Sequence, residues 1–161
     1  STGAITTRMS SGMPDLTGLS ISDVATATNV TLAADTISVI NYTGAAAATM
    51  TLPAATAGTI VVYCQSKDTT GGTATLVFDA AGSDVWATGS VIESRASSEV
   101  TFDTSAAGET KLTFTPANAA TNLLTTGGQI AFICYENATW HIATKLAAET
   151  TQVTGAFVFA A

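Results

Sequence analysis

Short runs in which apolar and small polar residues alternate recur roughly every ten residues, and they constrain this chain more than any other feature. Thr36-Ile37-Ser38-Val39-Ile40-Asn41-Tyr42 alternates with period two. Comparable runs follow at Thr49–Leu52, Thr59–Gln65, Thr73–Phe78, Asp84–Ile92, Glu99–Phe102, Lys111–Phe114, Gln129–Glu136, Thr139–Leu146 and Val153–Phe159. Turn-forming clusters separate them: Thr70-Gly71-Gly72, Ala81-Gly82-Ser83, Ala107-Gly108, Thr126-Gly127-Gly128 and Glu136-Asn137. Alternation puts successive side chains on opposite faces of a strand, so each run has one face to bury. The pattern predicts an all-β fold, an antiparallel β-sandwich or barrel. Helices that could cross between parallel strands are missing from it. The one helix candidate, Ala117–Leu124 after Pro116, reads equally well as a loop.

Residues 1–35 read differently. Large residues are sparse there (Ile5, Met9, Met13, Leu16, Leu19, Ile21, Val24), and Gly12, Pro14 and Gly18 interrupt any regular element. Such a segment cannot bury enough apolar surface to form a core alone. It is expected to be an extended N-terminal arm, lying on its own domain, on a sister subunit or on another protein. The remaining residues, 36–161, form one β body of ordinary domain size. The opening Ser1-Thr2-Gly3 fits removal of an initiator methionine, and fits a trimmed secreted product equally well.

Within the β body, TMTLPAATAGTIVVY (Thr49 to Tyr63) interrupts two apolar runs with a proline and four small residues. Pro53 has no N–H for a sheet ladder and closes the first strand. Ala54–Ala57 make a small connection, and Gly58 permits the turn into the next strand. The stretch reads as a corner in a β body.

Polarity in this chain comes from hydroxyls. Of 161 residues, 31 are threonine and 30 alanine, and only 11% are charged, against roughly a quarter in ordinary domains. Threonine fits the exposed pleat because its β-branching stiffens χ1. Uncharged hydroxyls are also easier to desolvate than ions, which suits a surface that meets protein. The net charge is −7, and the five cations Arg8, Lys67, Arg95, Lys111 and Lys145 are scattered. Nucleic-acid binding needs clustered cations to displace counterions, so no nucleic-acid partner is expected. No membrane partner is expected either. An anionic bilayer repels such a chain, and no apolar run approaches the roughly 18 residues of a membrane span.

Little in the sequence supports catalysis. One histidine, His141, and no G-x-S-x-G elbow leave nothing from which to build a nucleophile–base pair. In a period-two strand His141 points opposite to Trp140, toward solvent. Asp79, Asp84, Glu93, Glu99 and Asp103 sit at strand ends and turns, where acidic residues ordinarily sit. Asp79 to Asp84 lacks the spacing of a calcium loop. Cys64 and Cys134 both lie inside apolar runs, without C-x-x-C spacing. They read as small buried residues, with a disulfide between neighbouring strands as the alternative. No catalytic residue, metal or cofactor is expected.

Two longer segments carry a resemblance. Thr51 to Trp86 reads TLPAATAGTIVVYCQSKDTTGGTATLVFDAAGSDVW, and Gly128 to Trp140 reads GQIAFICYENATW. A strand ending in T-L-P, an Ala/Gly link, a strand ending in a K-D turn, an aspartate-bearing turn and a late G…W strand pair resemble a β-module of bacteriophage virion proteins. The resemblance spans about residues 36–146, and such modules occur in tail fibres and in capsid decoration (cement) proteins. It implies a non-enzymatic homotrimer. A fibre would carry a long repetitive shaft, and this chain has none.

The resemblance therefore implies a decoration protein on the outer capsid surface of a virion, made in the host cytoplasm and bound to the major capsid protein. The arm residues Arg8, Met9, Met13, Leu16 and Leu19 would dock on the shell. Val153, Phe157, Val158 and Phe159 would pack between subunits, with burial in the chain's own sandwich as the alternative. The other reading is a receptor-binding module of a tail fibre or spike, its aromatics Trp86, Trp140, Tyr42, Tyr63 and Tyr135 set against host glycan.

Overall fold

The computed structural model describes residues 20–24, 29–67, 69, 74–95, 100–115, 128–143 and 157–161. They form strands β1 (Ser20–Val24), β2 (Asn29–Thr31), β3 (Thr36–Ile40), β4 (Ala48–Thr51), β5 (Ile60–Gln65), β6 (Leu76–Asp79), β7 (Val85–Trp86), β8 (Val91–Arg95), β9 (Val100–Thr104), β10 (Lys111–Phe114), β11 (Gln129–Glu136), β12 (Thr139–Ile142) and β13 (Phe157–Ala160). No helix occurs among the described residues, and the candidate at Ala117–Leu124 lies outside them. The first sheet has the order β1-β3-β5-β11-β12-β7 and the second β13-β10-β6-β4-β2, with β8 and β9 paired as a separate ribbon. The fold is an all-β sandwich.

Its sheets are mixed, which corrects the antiparallel expectation. The first six strands alternate between the two sheets, and within each sheet they run parallel: β1 with β3 with β5, and β2 with β4 with β6. A parallel pair needs a long crossover. Here the strand in the facing sheet is that crossover, so the chain winds as a flat three-turn coil without helices. The antiparallel pairings belong to later strands: β5–β11, β11–β12, β6–β10, β10–β13 and β8–β9.

Period-two alternation sets the core. Ala48 and Met50, Leu76 and Phe78, Leu112 and Phe114, and Phe157 and Phe159 line the inner face of the second sheet. They meet Ile40, Val61, Tyr63, Ile130 and Phe132 from the first. The central strands β5 and β11 are apolar on both faces, so their outward residues Ile60, Val62, Ala131 and Ile133 form a second buried cluster. Continuous apolar runs at the middle of a sheet are what burial on both faces demands.

The sandwich begins before Thr36. β1 and β2, inside the expected arm, pair in register with β3 and β4. Asp84–Ile92, expected as one strand, is divided into β7 and β8 by a turn at Thr88–Gly89, where Gly89 takes φ 84°. The proline corner is as the sequence suggests. After Thr51, Leu52 donates to the Asp79 carbonyl at 2.8 Å, and Gly58 turns the chain at φ 101° into β5. Two side chains from other turns hold it: Asp84 Oδ2 accepts from Ala55 N at 2.6 Å, and Asn137 Oδ1 from Ala57 N at 2.9 Å.

Candidate functional site

The outer face of the second sheet is a regular and nearly uncharged surface. Register places Asn29, Thr49, Val77, Thr113 and Val158 in one row across five strands. Thr31, Thr51, Asp79, Lys111 and Ala160 form the next. Asp79 and Lys111 lie opposite each other and are the only ionisable residues of the two rows. Lys111 Nζ also donates to the oxygen of Ala161 at 3.2 Å. Val158 stands out of this face, 44% exposed. Small hydroxyls on a regular pleat give a surface that protein can cover at low desolvation cost.

Of the residues expected between subunits, Phe157 and Phe159 turn inward. Phe157 packs on Phe114 with ring centroids 5.0 Å apart, and Phe159 on Trp86 at 5.8 Å. Their alternation leaves Val158 as the one that faces out. Val153 lies outside the described residues, as do Arg8, Met9, Met13, Leu16 and Leu19. The free side of β13 is partly closed, because Asp103 of β9 accepts the Phe159 N–H at 2.6 Å.

The opposite end of the sandwich is different. Among the described residues the first sheet ends there in β1 and the second in β2. Ile21 on β1 is 73% exposed, the most exposed large apolar residue described. It ends a row that runs through Ile37, Val62 and Ala131. Sequence reading absorbed Ile21 into the arm. The signal was the alternation of Ser20-Ile21-Ser22, set too close to Gly18 to stand out.

A glycan platform fits the aromatics poorly. Trp86, Trp140, Tyr42 and Tyr63 are fully buried, and only Tyr135 is exposed. Tyr135 packs edge-on against His141, centroids 5.0 Å apart. His141 points away from Trp140, and it forms the wall between two shallow hollows of about 390 and 490 Å³. Thr88, Ser90 and Ile142 contribute to the first or both sides of that wall, and Glu136 and Thr139 to the second. The His141 Nε2 is buried and without a partner among the described residues.

Four of the described carboxylates are committed to backbone. Asp84 holds Ala55, Asp103 holds Phe159, Glu109 Oε2 accepts from Ala106 N at 2.6 Å, and Asp35 Oδ1 from Ile60 N at 3.3 Å. Among the described residues no three of His, Cys, Asp and Glu converge as metal ligands. Cys64 and Cys134 are both free thiols. Cys64 sits opposite Gln129 at one end of β11, five residues from Cys134, so they are not neighbours. Cys134 Sγ donates to the Glu136 carbonyl at 2.8 Å. Burial pushes both thiols up from their ordinary value, so both favour the unreactive protonated form.

No protein-family model, curated protein or solved structure matches the chain.

Proposed function

We propose that this protein is a structural component of a virus particle, a capsid decoration protein that covers and stabilises the outside of a phage head as a homotrimer. The observation that carries the reading is the outer face of the second sheet. Its two five-residue rows hold a single pair of opposed charges and end at exposed Val158. A broad, regular, nearly uncharged face is suited to protein contact, and such contact stabilises a shell without chemistry.

Two further features support it. The segments that resemble virion proteins, Thr51 to Trp86 and Gly128 to Trp140, end on tryptophans that lie in register on β7 and β12. The described carboxylates with hydrogen bonds serve turns and strand edges, which is structural work. The major capsid protein is the partner in this reading. The arm would add weak contacts whose joint effect grows through effective concentration.

Co-sedimentation with heads isolated from the virus that encodes the chain tests the reading. The protein should pellet with heads, in hundreds of copies per particle, and native mass should give a trimer. Removing residues 1–19, which precede β1, should lower retention and leave the β signature in circular dichroism unchanged. Adsorption to host cells with no retention on heads would overturn the reading in favour of a receptor-binding module.

A further inference from the structure

We draw no further inference here: the strongest candidate, the hollow of about 490 Å³ walled by Val85, Trp86, Thr88, Glu136, Thr139 and His141 beside the edge strand β7, carries nothing because the unpartnered Trp86 Nε1 and His141 Nε2 are buried out of reach of a molecule seated in it, and one carboxylate with two hydroxyls selects no single class of ligand.

Discussion

Trp86 and Trp140 lie side by side in register on the parallel strands β7 and β12, both buried, and neither indole N–H meets an acceptor among the described residues. Trp86 also packs against Phe132 at 5.5 Å and Phe159 at 5.8 Å, so one residue ties the short edge strand to both sheets. Burying an unpaired donor costs about 1–3 kcal/mol. Trp86→Phe removes that donor while keeping a ring, so its loss of stability should stay within about 1 kcal/mol. Trp86→Ala should lose about 3–5 kcal/mol through the cavity it opens. Urea midpoints of the two variants check the contrast, and a Trp86→Phe loss as large as that of Trp86→Ala would overturn it.

Gln65 should be the most sensitive polar residue of the core. It is fully buried; its Nε2 donates to the carbonyls of Tyr42 and Lys67, and its Oε1 accepts from the Tyr63 hydroxyl. Tyr42 in turn donates to the Ala74 carbonyl. Gln65→Leu keeps the volume and strands three partners, so a loss of about 2–4 kcal/mol is expected. Chemical denaturation measures it. A loss no larger than that of an exposed substitution would remove Gln65 from this role.

The same tyrosines set an alkaline limit. Burial pushes Tyr42 up to about 12, and burial, then the neighbouring Tyr42 and Cys64, push Tyr63 higher still. Both stay neutral in the folded chain at pH values where an unfolded chain has begun to ionise, near 10. The unfolded state then binds fewer protons, so stability falls as pH rises. It is fully present below pH about 10 and declines from there through about 12. Denaturation followed across that window should show the decline, and Tyr42→Phe should make it shallower. A flat profile to pH 12 would contradict the raised values.

Ala138 offers a gain. It occupies the β11–β12 turn at φ 65°, a left-handed conformation that its Cβ disfavours. Ala138→Gly should stabilise the fold by about 0.5–1 kcal/mol, the relieved strain outweighing the added freedom of the unfolded chain. A rise in thermal midpoint is the readout. The Ala138 N–H bond to Ala55 at 2.9 Å should persist, because the backbone need not move.

Much of the fold was legible because period-two alternation is local. Ala48 to Thr51, Lys111 to Phe114 and Phe157 to Ala160 each declare one buried face by spacing alone, and turn residues such as Gly82 and Gly108 mark where strands stop. The proline corner was legible for the same reason, since Pro53 and Gly58 constrain their own backbone. Ile21 was not. Five residues of alternation next to a glycine look like arm or strand equally well, and only pairing with β3 decides.

The sequence by itself determined that this chain makes strands and which side of most of them is apolar, because those properties depend on neighbours within a few residues. Tertiary structure decided the rest. Parallel winding between two sheets depends on which strand lies beside which, and that is set by packing between Phe78, Phe132 and Tyr63 across the sandwich. The same packing drew Phe157 and Phe159 inward and left Val158 outside. It also closed one end of the sandwich with Asp103 and left Ile21 at the other. A strand's own residues specify its two faces, but its partners specify which of those faces, and which edge, remains for another molecule.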